Sequence, residues 1–97
     1  MEAVIVEFAV GPDKVAECVE ALTALTDSLV SKQPAYHGHT LMVEHDTGVV
    51  ANIMLWDKAS DFVAFRDANR STIGPAIGHF GPKPRFYAVA REFTAKG

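Results

Sequence analysis

The run at residues 49–56, VVANIMLW, is apolar at both of its alternating sets of positions. Its β-branched and aromatic residues favour a strand, and successive side chains of a strand point to opposite faces of the sheet. One set consists of Val49, Ala51, Ile53 and Leu55. The other set consists of Val50, Asn52, Met54 and Trp56. An antiparallel sheet with one solvated face carries polar residues on that face. The run therefore predicts a sheet that is covered on both faces.

Three further strands are predicted at residues 2–10, 37–45 and 85–93, where β-branched and aromatic residues are bounded by Gly, Pro or Asp. Asp46-Thr47-Gly48 predicts a hairpin turn, with Gly48 at a positive φ. Apolar residues at helical spacing predict a long helix that begins at Gly11-Pro12-Asp13 and ends near Gln33-Pro34. A second helix is predicted to begin at Asp57.

Residues 71–81, STIGPAIGHFG, show little periodicity, and we expect a short broken helix and loop there. The resulting order is strand, helix, strand, strand, helix, strand. This order predicts an α+β fold of the ferredoxin-like, split βαβ type, with a four-stranded antiparallel sheet and helices on one face. The length of 97 residues fits a single domain over 1–97. The simplest cover for the second face is the sheet of another copy, which predicts a homodimer.

The composition argues against some classes of binding partner and favours one cellular compartment. Nine basic residues against twelve acidic ones give a net charge of −3, which argues against nucleic acid. No stretch is long and apolar enough to span a membrane, and the N-terminal segment does not resemble a signal peptide, so a cytoplasmic protein is expected. Cys18 is the single cysteine, which fits a reducing compartment. Five basic residues of the second half either favour an anionic small ligand or are solvated surface charge: Arg66, Arg70, Lys83, Arg85 and Arg91.

No strong catalytic motif is present, so candidate residues are polar groups in apolar surroundings. Asn52 is unusual in mid-strand, since a buried amide is costly unless its hydrogen bonds are made. It either holds a substrate hydroxyl or oxyanion or is satisfied by a loop or a water. Trp56 points the same way and either stacks on a planar ligand or fills the core.

His79 lies in the Gly-rich segment and is the first candidate for a general base; the alternative is a surface histidine. His37 and His39 share one face of a predicted strand, but no third ligand is fixed by spacing, so no metal site is predicted. Four phenylalanines either line a pocket for an aromatic substrate or serve the core: Phe62, Phe65, Phe80 and Phe86. Residues 71–84 are either a lid over that pocket or a plain connection.

Over nearly its full length the chain resembles the antibiotic biosynthesis monooxygenase family. The resemblance rests on the opening strand with its Gly-Pro-Asp helix start, on Pro34-Ala35-Tyr36-His37-Gly38, and on residues 49–56. It continues through Asp57-Lys58-Ala59-Ser60-Asp61-Phe62, which is similar to the family's W-x-S-x-x-x-F helix start, and through Gly81-Pro82-Lys83-Pro84.

The resemblance implies a dimeric α+β barrel and a cofactor-independent oxygenase that uses O2 to turn a phenolic or hydroquinone-type aromatic substrate into a quinone. Asn52 and Trp56 match the family's cleft pair on the third strand, whereas Phe62 stands near the position of the family's cleft tyrosine. Haem-degrading relatives carry an Asn on strand one, which this chain lacks. The alternatives are a non-catalytic small-molecule-binding protein or an isomerase on the same fold, and a haem or metal binder that uses His79 or the His37/His39 pair.

Overall fold

A computed structural model describes residues 1–96. In that part of the chain, four strands form one sheet: β1 (Glu2–Ala9), β2 (Tyr36–Glu44), β3 (Val49–Trp56) and β4 (Lys83–Ala88). Three helices accompany them: α1 (Val15–Ser28), α2 (Ala59–Ala68) and α3 (Arg70–Ile77). The strand order is β2-β3-β1-β4, and every neighbouring pair is antiparallel. The predicted ferredoxin-like α+β fold is confirmed.

Several element boundaries differ from those expected. The first helix is shorter, since 3₁₀ turns at Pro12–Lys14 and Val30–Lys32 flank α1. The last strand is earlier than residues 85–93, because β4 pairs with β1 alone and β1 begins at Glu2, opposite Ala88. No strand among residues 1–96 lies opposite the residues after Ala88.

The segment at residues 71–81 is more regular than its sequence suggests. It forms α3, with Pro75 inside it, followed by a 3₁₀ turn at Gly78–Phe80. Proline cannot donate to the preceding helical turn, and α3 ends two residues later at Ile77. Ile77 and Phe80 are both buried, so burial of apolar side chains outweighs the weak local preference of this Gly- and Pro-containing segment.

The core lies between the helices and one face of the sheet. Burial alternates strictly along β3: Val50, Asn52, Met54 and Trp56 are buried, whereas their four neighbours are only half-buried in the single chain. The helix-free face is therefore partly open. Ile5 of β1 lies beside Ile53 of β3 at its apolar centre, and Glu7 and Arg85 lie on the same face. No helix among residues 1–96 is long and apolar enough to cross a membrane.

Gly48 closes the β2–β3 hairpin at φ 76°, as predicted. Its carbonyl accepts hydrogen bonds from the backbone N–H groups of Val10 and Gly11, both at 3.0 Å. A Cβ atom here would lie 2.0 Å from the carbonyl carbon of Gly11. Only glycine fits, because the hairpin tip packs directly on the backbone that leads into α1.

Candidate functional site

A cavity of about 340 Å³ lies between the sheet and the helices. Its volume is at the lower end of the range of about 300–1,000 Å³ typical of small-molecule sites. Twelve of its lining residues are apolar: Val6, Phe8, Leu22, Leu25, Val30, Met54, Phe62, Phe65, Ile73, Ile77, Pro82 and Pro84. The other four carry the polar groups: Thr26, Asn52, Arg66 and Arg70.

Asn52 supplies the buried polar group of the cavity wall. It lies in the centre of β3, opposite Val6 of β1 and Leu41 of β2, and its side chain is buried at 7% exposure. Its Oδ1 atom is buried and has no hydrogen-bond partner among the described residues. Such a group costs about 1–3 kcal/mol of stability.

Trp56 lies behind the cavity wall and does not line the cavity. It is almost completely buried, and its ring centroid is 5.7 Å from those of Tyr36 and Phe62 and 5.6 Å from that of Phe65. Phe62 and Phe65 do line the cavity, so the indole supports the two rings that a ligand would touch. The indole Nε1 is also buried without a partner among residues 1–96.

The other aromatic candidates lie outside the cavity lining. Phe80 is a core residue, and Phe86 of β4 is 44% exposed, with its ring 6.2 Å from that of Phe62.

The structure does not bring His79 to the cavity either. The 3₁₀ turn that buries Phe80 leaves His79 exposed, with its ring stacked at 4.0 Å on that phenylalanine. A general base must lie within hydrogen-bond reach of the proton that it removes.

Two arginines bring positive charge to the open end of the cavity. The side chain of Arg66 is 32% exposed and that of Arg70 is 69% exposed, so both guanidinium groups reach solvent. The Arg66 guanidinium lies 5.8 Å from the centre of the Phe62 ring. One carboxylate oxygen of Asp67 accepts from both arginines, at 3.4 Å from Arg66 Nε and 2.7 Å from Arg70 Nη2.

A tyrosine–histidine pair lines a second, smaller cavity of about 250 Å³ beside the first, and the sequence analysis missed it. The Tyr36 hydroxyl lies 2.6 Å from Nδ1 of His39. Burial lowers the pKa of His39 and raises the pKa of Tyr36, and each of these shifts favours the neutral form of the side chain. Thr26 lines both cavities.

The predicted shared strand face does not bring His37 and His39 together. A register irregularity in β2 between Tyr36 and Gly38, where Gly38 has φ 112°, interrupts the alternation of side chains. His37 is exposed and pairs with Asp57 at 2.5 Å, whereas His39 pairs with Tyr36. Among residues 1–96, no three His, Cys, Asp or Glu side chains are grouped as metal ligands would be.

The family model of the antibiotic biosynthesis monooxygenases matches residues 1–72, about three quarters of the chain. The chain belongs to this family. Among curated protein sequences, none matches it. Family membership and fold support a monooxygenase, and the paired positions Asn52 and Trp56 both fall within the matched residues.

Solved structures of the same fold include several monooxygenases. The monooxygenase encoded by ActVA-Orf6 of Streptomyces coelicolor, solved with nanaomycin D bound, superposes with a TM-score of 0.82. It is 18% identical, and the alignment covers 98% of this chain and 92% of that one. A candidate monooxygenase from Shewanella loihica PV-4 gives a TM-score of 0.74 at 24% identity, with 94% and 96% covered. A candidate antibiotic biosynthesis monooxygenase from Nitrosomonas europaea gives 0.74 at 17% identity, with 94% and 100% covered.

Proposed function

We propose that this protein is a cofactor-independent monooxygenase that oxidises a phenolic or hydroquinone-type aromatic substrate to a quinone with O2. The observation that carries the proposal is the unpartnered Oδ1 of Asn52, a residue that lines a largely apolar cavity. A phenolic hydroxyl is a donor on a flat apolar ring, which matches both properties of the cavity. Family membership and the nanaomycin D bound to the similar Streptomyces protein support the same class of substrate.

The reaction needs no external reductant. The phenolate gives one electron to O2, and the phenoxyl radical and superoxide then combine at a ring carbon that still bears hydrogen. The peroxide anion so formed takes up a proton, in place of the one that the phenol lost, to give a hydroperoxide. The hydroperoxide loses water, which leaves one oxygen atom from O2 as the second quinone carbonyl and the other in the water. For a phenol with a free para position, the sum is phenol plus O2 to quinone plus water.

The residues of the cavity would bind the ring and stabilise its anion. Phe62 and Phe65, supported by Trp56, hold the ring, and the amide of Asn52 can accept from the phenol and donate to the oxyanion. The apolar walls exclude water, which strengthens these electrostatic interactions. The roles of Phe80 and Phe86 are then indirect, through packing behind the cavity and beside Phe62.

We propose that the phenolic proton is lost to water as the substrate enters through the open end of the cavity, and that the phenolate then binds at the amide of Asn52. The cavity lining among the described residues contains no Asp, Glu, His or Tyr side chain, and Arg66 and Arg70 favour the phenolate there. His79 is the alternative acceptor. If water accepts the proton, the pH dependence of turnover follows the phenol pKa of the substrate, and His79→Gln leaves it unchanged.

The working form is proposed to be a homodimer in which two sheets pack through their helix-free faces. That face carries Ile5, Ile53 and Leu55, which are half-buried in the single chain, together with the exposed Met42 and Tyr87. Light scattering behind size exclusion should give twice the chain mass of 10.5 kDa. Ile53→Glu should give the single-chain mass. A wild-type protein that elutes as a single chain would contradict this part of the proposal.

Oxygen uptake by EDTA-treated protein with 1-naphthol tests the function, because this phenol has two rings and a free para position. We expect one O2 consumed per 1,4-naphthoquinone formed, with one atom from ¹⁸O2 in the quinone. Asn52→Ala should lower the rate about 10²- to 10³-fold, as loss of an oxyanion donor does. Asn69→Ala is the matched control, since Asn69 ends α2 and is outside the cavity lining. A rate equal to that of autoxidation, or a rate that is unchanged in Asn52→Ala, would refute the proposal.

The second candidate function is binding of an aromatic molecule without turnover. It is favoured by one observation, the lack of a proton-accepting side chain in the described cavity lining. Calorimetric binding of 1-naphthol without oxygen uptake would support this function over the first.

A further inference from the structure

We propose that the cavity selects aromatic molecules that carry an anionic substituent, a carboxylate above all, and that Arg66 and Arg70 bind that substituent. The inference deepens the proposed function by naming the substrate class, and it rests on that function for turnover but not for binding. It gives a role to the uneven charge of the sequence, in which seven of nine basic residues lie in residues 51–97.

Most N–H donors of the two arginines are not used in their contacts with Asp67. They line the cavity from α2 and α3, four residues apart, and both contact the same oxygen of Asp67. A guanidinium group has five N–H donors, so one contact with Asp67 leaves most of them unused. The three side chains together carry a net charge of +1, and no Asp or Glu is among the described lining residues. One monoanionic group at this position would complete the charge balance.

The amide of Asn52 and the two guanidinium groups of the cavity lining differ in burial. Asn52 is at the buried end, in the middle of the sheet, whereas Arg70 is mostly exposed and marks the open end. Between them the wall is formed by apolar side chains, among them Phe65, Ile73 and Ile77. A ligand that satisfies both ends is a flat ring system with a hydroxyl at one end and a carboxylate at the other. Arginine suits a planar carboxylate because its N–H groups can bind both oxygens.

The test compares 6-hydroxy-2-naphthoate with its primary amide by titration calorimetry at low salt. The two probes have nearly the same shape and differ by one charge. We expect the carboxylate to bind about fivefold more tightly, since an exposed ion pair contributes about that much at most. The difference should shrink in 0.5 M KCl, where charges are screened.

Substitutions test whether Arg66 and Arg70 cause the difference in affinity between the carboxylate and the amide. In Arg66→Gln/Arg70→Gln the carboxylate should bind no more tightly than the amide, while the affinity for the amide is unchanged. Arg91→Gln is the matched control, because Arg91 is exposed and outside the cavity lining, and it should keep the full preference. Asp67→Asn should act in the opposite direction and tighten binding of the carboxylate alone, since it raises the local charge from +1 to +2. A merely structural role of Asp67 predicts loss of binding to both probes.

Equal affinities of the wild type for the two probes, binding of neither probe, or a preference that persists in the double Arg variant would each overturn the inference. Thermal melts of each variant confirm that it is folded before titration. The oxygen-uptake assay is separate from the titration. Preferential binding of the carboxylate, together with no oxygen uptake on 1-naphthol, would therefore refute the proposed function and leave this inference standing.

Discussion

Replacing Asn52 by leucine should stabilise the protein and abolish its activity at the same time. The buried Oδ1 of Asn52 has no partner among the described residues, and an unmet buried polar group costs about 1–3 kcal/mol. Leucine has a similar size, and it would face Val6, Met54 and Phe8 in the apolar part of the cavity. We expect the free energy of unfolding to rise by about 1–2 kcal/mol and the Tm to rise by at least about 4 °C. Oxidation of 1-naphthol should fall about 10²- to 10³-fold.

Urea unfolding followed by tryptophan fluorescence measures the stability, because Trp56 is the single tryptophan and is buried. The midpoint should move to higher urea with the same slope. Protein concentration must be held constant, since self-association would raise the apparent stability.

Met54→Leu is the matched control, two residues along the same strand face and also in the cavity lining. A volume-conserving apolar exchange of this kind changes stability by less than about 1.5 kcal/mol, and it leaves the amide in place. If Asn52→Leu lowered the free energy of unfolding, the amide would be well paired in the native protein. If it kept wild-type oxidation, the amide would have no part in the reaction. Either result refutes the reasoning from the unpartnered oxygen.

Three further predictions concern stability and reactivity. Burial lowers the pKa of His39 from its ordinary 6.5, so below pH 6.5 the unfolded chain takes up a proton that the folded chain does not. The Tm should therefore fall as the pH drops below 6.5, and His39→Asn should flatten that slope in thermal melts; an unchanged slope would show that another group causes it. Gly48→Ala should cost more than about 3 kcal/mol by urea unfolding, because its Cβ would meet the backbone of Gly11, whereas Gly78→Ala, at φ −58° with open space around it, should stabilise by about 0.5–1 kcal/mol. Burial and the neighbouring Glu17 raise the pKa of the Cys18 thiol, so iodoacetamide should label it only in urea, and rapid labelling of the native protein would contradict the buried position.

The sequence predicts the fold well because its strongest signals are local and periodic. The alternation in residues 49–56 assigns Val50, Asn52, Met54 and Trp56 to one face, and the structure buries all four there. Gly48 was expected at a positive φ because a hairpin turn needs it, and it has φ 76°. The boundaries of β4 could not be read in this way, since they depend on where β1 begins.

The candidate site was harder to predict than the fold. Periodicity shows which face of a strand a side chain is on, but it does not show whether that side chain lines the cavity or lies behind the lining. Asn52 and Trp56 share a face, yet Asn52 lines the cavity while Trp56 lies behind Phe62 and Phe65. The Tyr36–His39 pair depends on the irregularity at Gly38, which displaces the histidines from simple alternation. A glycine between two histidines was the available signal, since glycine inside a strand often marks a bulge.

The unpartnered polar atoms and the open sheet face both affect the free energy of unfolding. Two buried unmet groups, Asn52 Oδ1 and Trp56 Nε1, together cost about 2–6 kcal/mol, which is a large share of the 5–15 kcal/mol that stabilises a typical domain. Packing of a second sheet against Ile5, Ile53 and Leu55 would offset that cost through burial of apolar surface, at about 25 cal/mol per Å². The helix-free face and the cavity are therefore linked through β3, whose alternate residues belong to both. A ligand at Asn52 would lower the cost on one side of β3, and a second sheet would offset the remainder from the other side.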